Sequence, residues 1–309
     1  MIARRTLLLL VALSACTTAG AADGSAVHVA PTGSVVASSA PASPSSPSSA
    51  SPAPVPASWS RGYPWISAPT SALSRLPTDA GFTRIAEDPD SFGAFLRTLP
   101  LEPPGTPVRS FRGDVVLAGD DPRLAAVVAI DVGAQDLQQC ADSVIRLHAE
   151  WRWATGRQDV TYKSLSGFPM SFDRYSKGDR FVLAGKDLAW TQGARPDASH
   201  AAFRSYLDGV FMWANTTALA RDAAKVARAD VRPGDFFVLG GSPGHAVMVL
   251  DVERDASGHA RALIGQGYMP AQSLHVVKVA GSPWVSLDGD AVASPFWAPF
   301  PWDALRRLP

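Results

Sequence analysis

The chain has 309 residues, and 28 Lys and Arg balance 28 Asp and Glu, so its formal net charge is zero. The basic residues are scattered, which argues against a nucleic-acid partner, since that partner is normally met by a basic face. Hydrophobic residues make up 46% of the chain, enough for a sizeable core, and the two cysteines sit far apart at Cys16 and Cys140.

Residues 1–16 read as an export signal. Arg4 and Arg5 form a positive start, and 6–12 form an apolar stretch too short to span a bilayer. Leu13-Ser14-Ala15-Cys16 then has the pattern of a bacterial lipoprotein signal, in which Cys16 is acylated and becomes the mature N-terminus. An ordinary secretory signal with a chance cysteine is the alternative. Thr17 and Thr18 follow with no aspartate, and the likeness to other bacterial lipoproteins implies the outer membrane, facing the periplasm.

Residues 17–60 are nearly all Ala, Ser, Pro, Gly, Thr and Val, which cannot bury enough apolar surface to offset ordering entropy. They are expected to form a disordered tether of about 3 Å per residue. Complexity then rises, and 61–309 read as a single globular domain. With Cys16 lipidated, no cysteine pair is left for an intrachain disulfide, so this domain must hold by its core.

Within the domain, 91–97 read as a short helix and 115–117 and 124–131 as strands, the second apolar and therefore buried. A helix is expected over 137–153, then two more over 201–213 and 218–227, divided at Asn215-Thr216-Thr217, whose hydroxyls can cap the second. Strands at 236–239, 245–253, 261–266 and 274–279 form an antiparallel meander, with Asp255-Ala256-Ser257-Gly258 as one turn. Helices first and a meander after give an α+β domain with helices packed on an antiparallel sheet.

The chemistry-bearing residues lie on these elements. Asp136 is placed to accept from the free amides opening the central helix, with Gln139 reaching back as its capping partner. Cys140 then falls in the first turn, where unpaired amides and the dipole lower a thiol pKa. Cys140, Val144, Leu147 and Trp151 also share one helical face, so a core cysteine fits the same spacing. His245 opens an apolar strand in Gly244-His245-Ala246-Val247-Met248-Val249-Leu250, and Gln266 lies on the next strand. Cysteine at a helix start, histidine at a strand head and a polar orienting residue on the next strand is the chain order of papain-like cysteine hydrolases. There the imidazole takes the thiol proton while a third group holds the ring. The run from Gly234-Asp235 to Gly244-His245 resembles the NlpC-type cell-wall peptidases and their relatives acting on amides or esters. Tyr268 and Gln272 are substitutes for Gln266, and with Gln139 they are candidate substrate contacts. The sequence departs from that pattern in having Gln139-Cys140-Ala141 at the nucleophile and a longer interval to His245, which requires a helical insertion.

Five separated stretches also resemble the bacterial domain of unknown function numbered 4846. They are Asp136-Leu137-Gln138-Gln139-Cys140-Ala141-Asp142, Arg146-Leu147-His148-Ala149-Glu150, Gly244-His245-Ala246, Tyr268-Met269-Pro270-Ala271-Gln272 and Ser282-Pro283-Trp284. The resemblance spans roughly 62–308 and implies a secreted or lipid-anchored bacterial protein.

Gly240-Gly241-Ser242-Pro243-Gly244 matches the serine-hydrolase elbow in letters, but a strand follows it and Pro243 lacks the amide an oxyanion hole needs. No metal-ligand motif and no cofactor motif is present. His148, two turns beyond Cys140, is about 12 Å away and too far to activate it. His200, His259 and His275 read as surface, turn and strand residues. Trp284, Trp297 and Trp302 read as packing of the last segment, with a sugar-binding surface as the alternative. The sequence therefore points to an envelope lipoprotein with a papain-like, NlpC-like thiol hydrolase domain acting on wall peptide or amide bonds, without cofactor. Cys140 is its nucleophile, His245 its base and Gln266 its orienting group. The alternative is a non-catalytic envelope lipoprotein that binds wall fragments or another envelope protein.

Overall fold

The computed structural model describes residues 76–309; the signal, the expected lipidation at Cys16 and the tether lie outside them. Among the described residues nine strands form one sheet: β1 (Phe82–Arg84), β2 (Leu124–Val127), β3 (Ala224–Lys225), β4 (Phe236–Leu239), β5 (His245–Asp255), β6 (Ala260–Gln266), β7 (His275–Val277), β8 (Trp284–Ser286) and β9 (Leu305–Arg307). The order across the sheet is β2-β7-β6-β5-β4-β9-β3, with β1 also pairing β5 and β8 pairing β6. The expected meander is present as β4 to β7, each strand antiparallel to the next. The α+β class follows from this sheet and the helices α1 (Phe92–Leu96), α2 (Cys140–Ala154), α3 (Phe172–Ser176), α4 (His200–Trp213) and α5 (Thr216–Asp222).

The unbroken apolar run of β5 arises because both faces of the sheet are covered. Ala246, Met248 and Leu250 join a core with Val144, Ile145 and Leu147 of α2 and with Phe203, Leu207 and Val210 of α4. Val247 and Val249 belong to a second core with Val285, Leu287, Val292, Phe300 and Leu305. Side chains alternate along a strand, so the two cores lie on opposite faces.

Capping explains where the helices begin. Ser91 Oγ accepts from the Ala94 amide at 3.0 Å, and Ser199 Oγ from the Ala202 amide at 3.2 Å. At α5 the cap is the side-chain carbonyl of Asn215, 2.9 Å from the Ala218 amide, rather than a threonine hydroxyl. That helix stops at Asp222, short of the expected 227, because Ala224–Lys225 leave it to pair with β9. The strand expected over 124–131 ends at Val127. Two hairpins, at 161–171 and 179–192, had no expectation attached to them. Arg146 on α2 is buried yet satisfied by Glu150 at 2.7 Å, Gln138 at 3.0 Å and Asp131 at 3.2 Å. Glu150 in turn meets His200 at 2.8 Å, which ties α2 to α4.

Two carboxylates of β5 set contrasting constraints. Between Val249 and Asp251 the register with β6 shifts, leaving Leu250 unpaired in a bulge. Asp251, buried, is held by Arg84 at 2.5 Å and by Arg97 at 2.7 Å, which pin β1 and the segment after α1 to the sheet. Asp251→Ala would leave two part-buried guanidinium groups without their carboxylate. It is expected to lower the unfolding free energy by about 3 kcal/mol in a denaturant titration.

Glu253, by contrast, is buried without a well-formed hydrogen bond to either oxygen among the described residues, and the nearby Asp79 amide offsets its burial only in part. Burial first, and then the neighbouring Asp79 charge, push its carboxyl up from 4.5 to about 7. The folded protein then holds a proton that the unfolded chain has released. Stability from this group is full below the unfolded value and is lost as pH rises through about 7. Glu253→Gln should therefore stabilise the domain at pH 8 relative to wild type, by about 1–2 kcal/mol, and confer little or none of that advantage at pH 4. Thermal melts of both proteins at the two pH values check this.

Candidate functional site

Cys140 is the first residue of α2, but the helix opens one turn later than the sequence suggests, and its cap differs. Gln139 is the capping position, and the Asp142 carboxylate accepts from the Gln139 amide at 3.1 Å. Asp136, expected to cap the helix, instead accepts from Gln139 Nε2 at 3.1 Å and from the Ala271 amide at 2.7 Å. It binds the loop before α2 to the connection between β6 and β7. On the other side, Gly267 lies against α2: a Cβ there would overlap Ser143 Oγ and come within 2.8 Å of the Gln139 carbonyl.

The thiol departs from the expected low pKa. Cys140 is 6% exposed, and burial raises its pKa, with the Asp142 charge adding to the effect. Backbone amides of Ala246, Ala141 and Cys140 itself act in the opposite direction but do not prevail. Asp142 is fully enclosed, and burial drives its own pKa well up. The helix dipole, which falls off within a turn, is outweighed by desolvation.

The meander brings the histidine and the glutamine together. His245 Nε2 lies 2.9 Å from Gln266 Oε1, and Gln266 Nε2 lies 3.2 Å from His275 Nε2. His275 Nδ1 reaches the Ser273 carbonyl at 3.0 Å. All three side chains are buried. Burial pushes the His245 imidazole below the usual histidine range and takes His275 down to about 4. The His245 ring is packed by Tyr268 at 4.9 Å, Trp297 at 5.1 Å and Phe300 at 6.0 Å between centroids. Cys140 lies beside the amide of Ala246, one residue along from His245. Among the described residues, however, no hydrogen bond joins its thiol to the imidazole.

Cys140 lines a groove of about 330 Å³ between the start of α2, the α4–α5 junction and the Gly241–Gly244 turn. Gln139, Asp142, Thr216 and Met269 line it as well. His245, Gln266, Tyr268 and Gln272 do not. The Tyr268 hydroxyl donates to the Phe296 carbonyl at 3.2 Å, and Gln272 is buried in a bridge to Ser110. A second cavity, of about 350 Å³, lies beside His148 and Tyr162 and contains none of the predicted site residues. His148 is buried there, bonded to Tyr162 at 2.9 Å and to the Pro309 carbonyl at 3.1 Å. Among the described residues no group of three His, Cys, Asp or Glu side chains is placed to hold a metal ion. The residues missed from sequence are His275 and Asp142. The first was legible in principle, because the β6–β7 register makes it the cross-strand partner of Gln266.

The model of the family described as "Domain of unknown function (4846)" matches residues 73–307, and the chain belongs to that family. No curated protein and no solved structure matches the chain.

Gly267 gives the site a steric test. Gly267→Ala places a methyl group against the backbone at the start of α2, where a carbonyl cannot rotate away. The substitution should cost about 1–3 kcal/mol of stability in a denaturant titration.

Proposed function

We propose that this member of family 4846 is an envelope lipoprotein, anchored at Cys16 and facing the periplasm, whose domain is a papain-like thiol hydrolase of wall peptide or amide bonds. The observation that carries this reading is the pairing of His245 with Gln266 at 2.9 Å at the head of β5, next to a helix whose first residue, Cys140, lines the groove. In this reading His245, kept neutral by burial, takes the Cys140 proton as the sulfur attacks the carbonyl carbon of the scissile amide. The oxyanion is met by free amides at the start of α2. His245 then returns the proton to the departing amine, and a water molecule hydrolyses the thioester, restoring the thiol. The raised thiol pKa makes this a neutral thiol with a general base rather than a standing thiolate.

One observation favours a second reading. The enclosed Cys140 also suits a groove that binds wall fragments or another envelope protein without turning them over.

Alkylation of the folded protein by iodoacetamide separates the two. The hydrolase reading expects Cys140 to react at neutral pH and to slow by about tenfold or more in His245→Ala. It also expects Cys140→Ser to abolish cleavage of wall peptides while leaving the melting temperature nearly unchanged. Reaction that appears only on unfolding supports the binding module.

A further inference from the structure

The hydrogen bonds behind His245 have a direction, and it can be traced from one end. The Ser273 carbonyl only accepts, so the His275 Nδ1 facing it at 3.0 Å carries the proton. His275 is neutral at pH 7, because burial holds its pKa down to about 4, so its Nε2 is a bare acceptor. Gln266 must then present its NH₂ group to His275 at 3.2 Å and its oxygen to His245 at 2.9 Å. An amide oxygen accepts, so His245 Nε2 carries the proton and Nδ1 keeps its lone pair. In the opposite arrangement, lone pairs of His275 and Ser273 would face each other at 3.0 Å in a site sealed from water.

We propose that His275, anchored on the Ser273 carbonyl, is a positioning residue that fixes the Gln266 amide and thereby selects the His245 tautomer with a free Nδ1. The role rests on the reading of Cys140 and His245 as thiol and base, because a lone pair on Nδ1 is what a base of this kind needs. A glutamine alone cannot supply that choice, since its two ends differ only in which atom donates. A histidine read from sequence as an ordinary strand residue thus becomes the element that gives the relay its polarity.

The test is the ring ¹⁵N spectrum of the full chain labelled at histidine, at pH 7, with His245 assigned by loss of its signals in His245→Ala. Wild type should show the Nε2–H form at His245 and the Nδ1–H form at His275. In His275→Phe, His245 should become a mixture of tautomers and Cys140 alkylation should slow about two- to tenfold. His275→Gln, whose carbonyl can accept from Gln266, should restore the single tautomer. An Nδ1–H form of His245 in wild type, or an unchanged Nε2–H form in His275→Phe, overturns the proposal, and the wild-type result suffices if the phenylalanine variant does not fold. Alkylation indifferent to His245→Ala would instead overturn the hydrolase reading, with the tautomers still deciding the role of His275.

Discussion

The clamp between the start of α2 and the end of β6 is the constraint on which the site depends. Gly267 admits the Gln139 carbonyl at a distance no side chain would allow, and Ser143 Oγ donates to that same carbonyl at 2.7 Å. From the other side, Asp136 holds the Ala271 amide. The loop before the helix is therefore fixed to both sides of the β6–β7 connection, and Cys140 inherits its position from the backbone rather than from its own contacts. The large apolar faces give the domain its stability. These few polar contacts decide where on it a thiol can stand.

That position carries an electrostatic tension. A helix start favours a thiolate, yet burial and a neighbouring carboxyl disfavour one, and the balance falls toward the neutral thiol. The same burial keeps His245 and His275 neutral and drives Asp142 toward its acid form. All four groups thus move toward the uncharged state, as expected where water is excluded. A site of this kind resists holding a resting ion pair.

How much of this was legible in the sequence depended on the range of the interaction. The meander was legible because β4 to β7 are short, largely apolar runs separated by Gly-, Ser- and Pro-containing connections, and each strand pairs with its neighbour in the chain. The start of α2 was misplaced because Asp136 is an ideal cap locally, and only the distant Ala271 amide draws it away. Likewise α5 was overextended because Ala224–Lys225 look helical until β9, some eighty residues later, pairs with them. The thiol pKa was misjudged for the same reason: the helix start is local information, whereas desolvation comes from segments that pack over it. The pairing of His245 with Gln266 was legible because their strands are neighbours in the chain, while His275 required the register to be followed one strand further.

The site lies at the end of the sheet because neither face is free. Along β5, His245 shares a side with Val247 and Val249, which pack beneath the C-terminal segment, whereas α2 covers the side of Ala246 and Met248. The start of the helix on one face and the imidazole on the other meet the strand at its beginning, where His245 pairs with Leu239 and Cys140 lies beside the Ala246 amide. That is where the Gly241–Gly244 turn and the α4–α5 junction leave the groove open beside Cys140. Thr216 sits on that junction, with its hydroxyl 3.4 Å from the Gly241 carbonyl. A Cβ on Gly244 would collide with that hydroxyl and come within 2.7 Å of the Leu239 carbonyl, so glycine is the residue that lets this turn close before His245. The width of the groove is thus set by a glycine turn and a helix junction that have no chemistry of their own.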